Sequence, residues 1–296
     1  MVMRMNDSRR YLTEVERFPR LAALVEQAEA CVAGGTLPSL THVCRKAFDQ
    51  LLGSGELTEI VSEALQQIAN GDAMHPDWLS KTAEEWVVVD TPDYSLRLVA
   101  RKPRQGALLQ SLNFNCLVGN MSGPGFAISC YRFPHDARID AFKVSMLAIE
   151  GERVTLEAGQ SVELLAERDI PNITLQAPVL TLTLYPKRYA PLIWCFDRKT
   201  LQSVMAMASH DSPVRRQAGA AMLQHIHQSE LLPVDASLDT LSTLAQDPSH
   251  FVRWAALQGL CAIDLEHARP HLIRAADDPH PAVAAAASRA VAAHLN

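Results

Sequence analysis

The central part of the chain carries a single histidine, His135, with Asp136 and Asp140 shortly after it. A protein metal site needs three or four ligands, so one imidazole does not make one. His135 reads first as a solvated or structural side chain. A set drawn from His135 with Asp136, Asp140 or Glu163 is the alternative. His225 and His227 sit two apart on an expected helix, about 200° around its axis, and cannot easily share an ion. His267 and His271 have the i, i+4 spacing of helical ligands beside Glu266, but Pro270 between them marks a bend or a helix start. A solvated face is the plainer reading there. Gly119-Asn-Met-Ser-Gly-Pro-Gly125 lacks the Gly-Lys-Ser/Thr ending of a phosphate loop and leads into a strand, so a hairpin turn is expected. A Gly-x-Ser-x-Gly elbow is absent, which leaves serine hydrolysis without support. Arg97, Arg101, Lys102 and Arg104 could touch an anion. Without aromatic interleaving they read as a solvated strand-to-turn edge. Tyr131, His135 and Trp194 come from strands or strand ends and are the candidate lining of a small-molecule pocket, against a reading as ordinary packing. Catalytic residues are not assigned, and neither a metal nor a cofactor is expected.

The elements that must position these residues fall into three regions. From about Glu14 to Asn70 the apolar period is helical. Leu21, Leu24, Val25, Ala28 and Val32 share one face, closed by Gly34-Gly35; Leu40, Val43, Ala47 and Leu51 share another, closed near Gly53-Ser54-Gly55. Leu57, Ile60, Val61, Ala64, Leu65 and Ile68 make a third stripe, closed by Asn70-Gly71. From about Trp86 to Phe196 the period becomes two, as in Leu180, Leu182 and Leu184 alternating with Thr181, Thr183 and Tyr185. Further strand-like runs are 86–89, 94–100, 107–118, 126–133, 142–149 and 192–196. Val154 and Leu156, then Val162 and Leu164, flank a turn at Ala158-Gly159-Gln160. Many short strands without helices between them predict an antiparallel sandwich or barrel. From about Thr200 helical periodicity returns, with self-similar segments beginning Asp211-Ser-Pro-Val214, Asp247-Pro-Ser-His-Phe-Val252 and Asp278-Pro-His-Pro-Ala-Val283. In each, Asp can cap a helix, Pro suits its first turn, and Val is expected to face the core.

Composition narrows the class. Hydrophobic residues make up 48% and charged residues 20%, too apolar for a disordered chain. A net charge of -6 supplies no general drive towards nucleic acid or an anionic membrane, so neither is an expected partner. No apolar run reaches the roughly 18–20 residues that span a bilayer, and no apolar signal core follows the basic start, so a cytoplasmic location is expected. The six cysteines are scattered singly among apolar neighbours, which fits buried free thiols in a reducing compartment.

Two resemblances rest on these residues. The three Asp-to-Ala segments resemble HEAT repeats, particularly the short kind of bilin-lyase-like proteins, with the signature Asp-x-x-x-x-Val-Arg-x-x-Ala. The second copy fits it closely; the first has a shorter Asp-to-Val gap, and the third has Ala284 where Arg is usual. The resemblance implies an α-solenoid and a protein partner, with Arg215 and Arg253 exposed and able to bond a neighbouring Asp. Arg253 and Trp254 are its candidate contact residues. The stretch Ile149-Glu-Gly-Glu-Arg-Val to Gly159-Gln-Ser-Val-Glu163 is similar to the centre of a cupin jelly roll. Metal-binding cupins carry a His-x-His pair, a Glu and a further His. Arg138-Ile-Asp140 and Asp169-Ile-Pro-Asn172 stand there instead. The expected fold is therefore α+β and multidomain: N-terminal helices over 1–75, a cupin-like antiparallel domain over 76–198, and HEAT-like repeats over 199–296. The expected function is a non-catalytic adaptor or regulatory protein, with a protein partner on the repeats, a small ligand in the β domain, and homodimerisation as a further option. The alternative is a metal-dependent, dioxygenase-like oxidoreductase with an atypical ligand set. A lyase acting on a bound chromophore rests on the HEAT resemblance alone.

Overall fold

The computed structural model describes residues 10–70, 84–103, 106–209, 211–228 and 233–294. Arg104 and the expected boundary at 75/76 lie outside them. The chain divides into two compact units, one of residues up to 137 plus 144–206, the other of 138–143 plus 207 onwards.

The first unit contains the three expected helices, α1 (Pro19–Ala33), α2 (Leu40–Leu52) and α3 (Glu56–Ala69). Gly34 caps α1 and Gly35 follows at φ +68, the left-handed conformation that favours glycine. Pro19 opens α1, where its missing N–H is no loss. The Glu56 carboxylate, from the first turn of α3, accepts from the backbone N–H groups of Arg20 and Leu21 at 3.0–3.1 Å. It thereby caps the positive end of α1.

Twelve strands lie among the described residues, the first ahead of α1 and the others after α3: β1 (Arg10–Tyr11), β2 (Glu85–Asp90), β3 (Tyr94–Arg101), β4 (Leu108–Gln110), β5 (Cys116–Ser122), β6 (Phe126–Arg132), β7 (Ile149–Leu156), β8 (Ser161–Leu164), β9 (Asp169–Thr174), β10 (Val179–Pro186), β11 (Leu192–Asp197) and β12 (Ser203–Ala208). They form a six-stranded sheet in the order β1-β2-β3-β10-β5-β8 and two three-stranded sheets, β12-β11-β4 and β7-β6-β9. The alternation read in the sequence sets the two faces of the large sheet. Leu96, Leu98, Leu117, Leu182 and Leu184 pack with Leu24, Cys44, Phe48 and Leu51 of the helices. The opposite face supplies Cys116, Val118, Val179 and Tyr185, which close on Phe126, Ile128, Cys130 and Leu156 of the β7-β6-β9 sheet. In β10 both faces are buried along nearly the whole strand.

Three strand expectations change. Gly119–Gly125 is not a hairpin, because β5 and β6 belong to different sheets; the segment, with Gly123 at φ +110, carries the chain from one sheet to the other. The run 142–149 yields β7 only from Ile149. Ser145 at φ +59 breaks the extended chain before it, leaving an isolated bridge between Leu147 and Gln202. Past Thr200 the chain first forms β12, whose uncharged Ser-Val-Met-Ala-Met-Ala run suits a strand, and helix resumes only at Asp211.

The second unit contains α4 (Asp211–Gln228), α5 (Val234–Leu244), α6 (His250–Ile263), α7 (Leu265–Ala275) and α8 (Pro281–His294). Helix α6 packs on α4, α5 and α7, and α7 on α8. Ala220, Ala256 and Ala287 are fully buried, so small side chains at the contacts let the helices approach closely. Pro270 lies inside α7 rather than at a helix start. The first repeat copy is preceded by β12, not by a helix. No helix among the described residues is long and apolar enough to cross a membrane.

Five of the six cysteines are buried and all are free. Burial pushes the Cys44 and Cys116 thiols up to about 12. Helix α2 sits directly on Gly119 of β5: a Cβ there would meet Leu52 Cδ2 at 2.5 Å and Phe48 Cε1 at 3.0 Å. Gly119→Val should therefore destabilise the chain by about 1–3 kcal/mol in urea unfolding, the usual range for an overpacked core.

Candidate functional site

The repeat segments come together through a clasp. Asp278, ahead of α8, accepts from Arg253 of α6, Nε to Oδ2 at 2.7 Å and Nη2 to Oδ1 at 2.6 Å. Nη1 of Arg253 donates to the carbonyls of Asp247 and Pro248 at 2.8 and 2.9 Å. One copy earlier, Arg216 holds Asp247 with Nε at 2.6 Å and Nη2 at 3.3 Å. Each aspartate also accepts a backbone N–H two residues on, that of Ser249 at 2.8 Å and of His280 at 2.7 Å. The Asp thus shapes its own turn and locks it to the preceding copy. Burial pushes the Asp278 carboxyl up, but the Arg253 guanidinium and the His280 N–H outweigh it and hold the group below its ordinary range.

Three readings of the repeats change: the exposure of Arg253, the clasp role of Arg215 and the core-facing position of Val214. Arg253 is not exposed: only 12% of its side chain is accessible and every guanidinium nitrogen is engaged. Trp254 is partly buried against Leu257, Leu272, Val283 and Ala287. In the first copy Arg216, not Arg215, makes the clasp, and Val214 is 43% exposed while Val252 and Val283 are buried. Arg216 therefore matches Arg253, which sets Val214 one residue, about 100° of helix, away from the buried valine position.

Beside the clasp, His250 and His280 stack with ring centroids 3.7 Å apart and planes 2° from parallel. His280 is buried, and its Nε2 lies 3.2 Å from the Asp140 carbonyl, so Nε2 donates and the tautomer is set. Arg138 pairs with Asp140 at 2.8 Å and reaches the Pro279 carbonyl. Burial first, then His280 and Arg253, push His250 down to about 4, against a smaller opposing pull from Asp140 and Asp278.

A groove of about 460 Å3 opens along these turns, lined among others by Asp247, Arg253, His271, Arg274, Asp277 and Asp278. Arg253 and the two clasp aspartates form its floor, whereas Arg274 and Asp277 are exposed at its edge. Its exposed edge carries both signs of charge.

In the first unit the expected pocket residues are not gathered. Trp194 is fully buried, 5.5 Å from the Phe133 ring and stacked on Phe196 at 6.2 Å. Tyr131 follows inward-facing Cys130 and is half-buried, and His135 is exposed in a turn. Glu163 accepts from the Thr41 hydroxyl at 2.6 Å. Among the described residues no group of three or more His, Cys, Asp or Glu is placed to hold a metal ion. The basic cluster divides. Lys102 lies 3.9 Å from Glu84, while Arg97 and Arg101 point to the inner face of the large sheet, not to a solvated edge. Strict alternation in β3, with leucines on the helix side, was the signal that could have placed them there.

Comparison with known proteins gives the second unit a family likeness: HEAT repeats match residues 201–292. No curated protein matches the chain. Among solved structures, hydroquinone 1,2-dioxygenase from Sphingomonas sp. TTNP3 with 4-hydroxybenzoate bound is similar at 11% identity, over 36% of this chain and 66% of that one, with a TM-score of 0.28. A cupin-2 domain containing protein from Shewanella frigidimarina shares 12% identity over 42% of this chain and 92% of its own, with a TM-score of 0.25. The EutQ protein of Clostridium difficile shares 10% over 38% and 79%, with a TM-score of 0.23. At these scores the structural likenesses carry no argument about what this chain binds or catalyses.

Breaking the clasp with Arg253→Ala leaves Asp278 buried and unpaired and should cost about 3 kcal/mol in chemical denaturation. The His250 shift predicts a pH dependence. Its folded value lies below the ordinary 6.5, so between pH 6.5 and about 4 the unfolded chain binds a proton that the folded chain does not. Stability therefore falls as pH drops through that window. His250→Gln should flatten that part of the melting-temperature profile. The separate loss from protonating Asp278, whose folded value is depressed, should remain at more acidic pH.

Proposed function

We propose that this chain is a non-catalytic adaptor or regulatory protein. Its repeat unit docks a protein partner in the groove edged by Arg274 and Asp277. Its β unit, which lacks the histidines of metal-binding cupins, serves as a ligand-sensing or dimerisation module. The observation that carries this reading is the groove itself, a mixed-charge surface along the inter-helix turns of a HEAT-like stack. Such stacks commonly present extended binding surfaces. The clasp supports it by holding the turns in fixed spacing, so exposed Arg274 and Asp277 are presented on a rigid floor. The apolar packing of Cys116, Phe126, Ile128 and Leu164 between the sheets also favours a structural interior over a catalytic one.

Reversing both edge charges, Arg274→Glu with Asp277→Lys, should lower co-purification of a specific partner at least tenfold while the melting temperature stays unchanged. A wild-type chain that retains no specific partner, or a double variant that retains it equally, would overturn the adaptor reading. Elemental analysis of protein purified without chelators should find far less than one metal per chain; a stoichiometric metal would instead favour the oxidoreductase reading.

A further inference from the structure

The inner face of the large sheet carries a second arginine that no salt bridge among the described residues engages. Arg97, Val99 and Arg101 of β3 share this face with Thr181, Thr183 and Tyr185 of β10, in a register that sets Thr183 opposite Arg97 and Thr181 opposite Val99. Arg97 is already committed. Its Nη1 meets Glu85 at 2.9 Å, its Nε donates to the Ser95 hydroxyl at 3.1 Å, and its guanidinium lies 5.6 Å from the Tyr185 ring centroid. Arg101 is different. Its Nε donates to Thr181 Oγ1 at 3.0 Å, and that hydroxyl donates onward to the Val99 carbonyl at 3.2 Å. Among the described residues no carboxylate lies within ion-pair distance of its guanidinium. The neighbouring acids are taken, Glu85 by Arg97 and Glu84 by Lys102. Cys116, the other polar neighbour, is a thiol pushed up to about 12 by burial and so brings no counter-charge near neutral pH. Burial also pulls the Arg101 value down, against smaller opposing pulls from Cys116 and Glu85.

A second, independent unmet polar group lies two residues along β10 from Thr181, the Arg101 partner. Thr183 is 6% exposed, and its Oγ1 is buried without a hydrogen-bond partner. Buried hydroxyls are ordinarily satisfied, and leaving one open is destabilising. A guanidinium outside any ion pair and an unsatisfied hydroxyl on one sheet face make complementary demands. Each would be met by an oxygen-rich anion, which accepts from both. Water reaches the rim of this face, since the side chains of Arg97 and Glu85 remain 25% and 34% exposed. The ring of Phe114, stacked on Tyr185 at 4.2 Å, adds an apolar flank.

We propose that the inner face of the six-stranded sheet binds a small oxyanion, a carboxylate or a phosphate, held by the guanidinium of Arg101 and the hydroxyl of Thr183 with the Arg97–Glu85 pair at its rim. A planar guanidinium with both Nη groups available matches either anion in bidentate fashion. Glu85 acts as the internal competitor, a carboxylate already present beside the site. This deepens the ligand-sensing half of the proposed function. It is tested without the partner, so failure here leaves the adaptor reading standing and the reverse also holds.

The test is thermal unfolding of the full chain in sodium phosphate or sodium benzoate against sodium chloride at matched ionic strength. One of the two anions should raise the wild-type melting temperature by several degrees, and which one does so separates the phosphate from the carboxylate source. Arg101→Gln should abolish the shift. Glu85→Gln, which removes the competing carboxylate, should lower the anion concentration for half-maximal shift severalfold. Thr183→Val should move two readouts in opposite directions, raising the anion-free melting temperature while weakening anion binding about tenfold. This variant keeps the proposal falsifiable if Arg101→Gln does not fold. No shift with either anion, or an equal shift in Arg101→Gln or Thr183→Val, would overturn it.

Discussion

The first unit depends on the burial of β10 on both faces. A strand flanked by β3 and β5 and covered on each side must be filled twice, and its alternating sequence assigns a different chemistry to each filling. Leu180, Leu182 and Leu184 complete an apolar core with the helices, while Thr181, Thr183 and Tyr185 turn towards the second layer. Because the helix side supplies most of the apolar packing, the inner side can tolerate polar groups that a simpler sandwich would exclude. Gly119 belongs to the same constraint, since only a missing side chain lets α2 lie flat on β5.

The second unit is organised by a different device. Its apolar contacts are made largely by alanines and leucines, which pack closely but specify register weakly. The Arg–Asp clasps supply the register: each joins one helix to the turn of the next copy with two hydrogen bonds in a fork that tolerates little sliding. Such pairs add less to stability than their geometry suggests, because both groups lose water on burial. Their contribution is to spacing, and spacing is what a groove along successive turns requires.

Much of this was legible in the amino-acid order. The three N-terminal helices, their glycine stops, the change of period near Trp86 and the Asp–Val–Arg repeats all depend on local spacing, which one chain displays openly. What failed to read through was long-range. Whether Gly119–Gly125 joins two strands of one sheet or two sheets is decided by the pairing of β5 with β10, sixty residues away in the chain. Arg215 and Arg216 differ by one position, and only the location of Asp247 selects between them. Tyr131, His135 and Trp194 looked alike as strand-borne polar aromatics, yet their neighbours place one in the core, one half-buried and one in solvent. Arg101 was read with the turn that follows it, although its surroundings are set by the strand beside it.

The free thiols give the molecule an internal clock. Cys44 and Cys116 lie on opposite sides of the large sheet, one against the helices and one between the sheets, and both are protonated at any physiological pH. A thiol reagent attacks the thiolate, so neither sulfur can react until its layer opens. Their rates of modification would therefore time the two openings separately. The chain carries, without added labels, a means of telling whether its helical cover lifts before the sandwich parts.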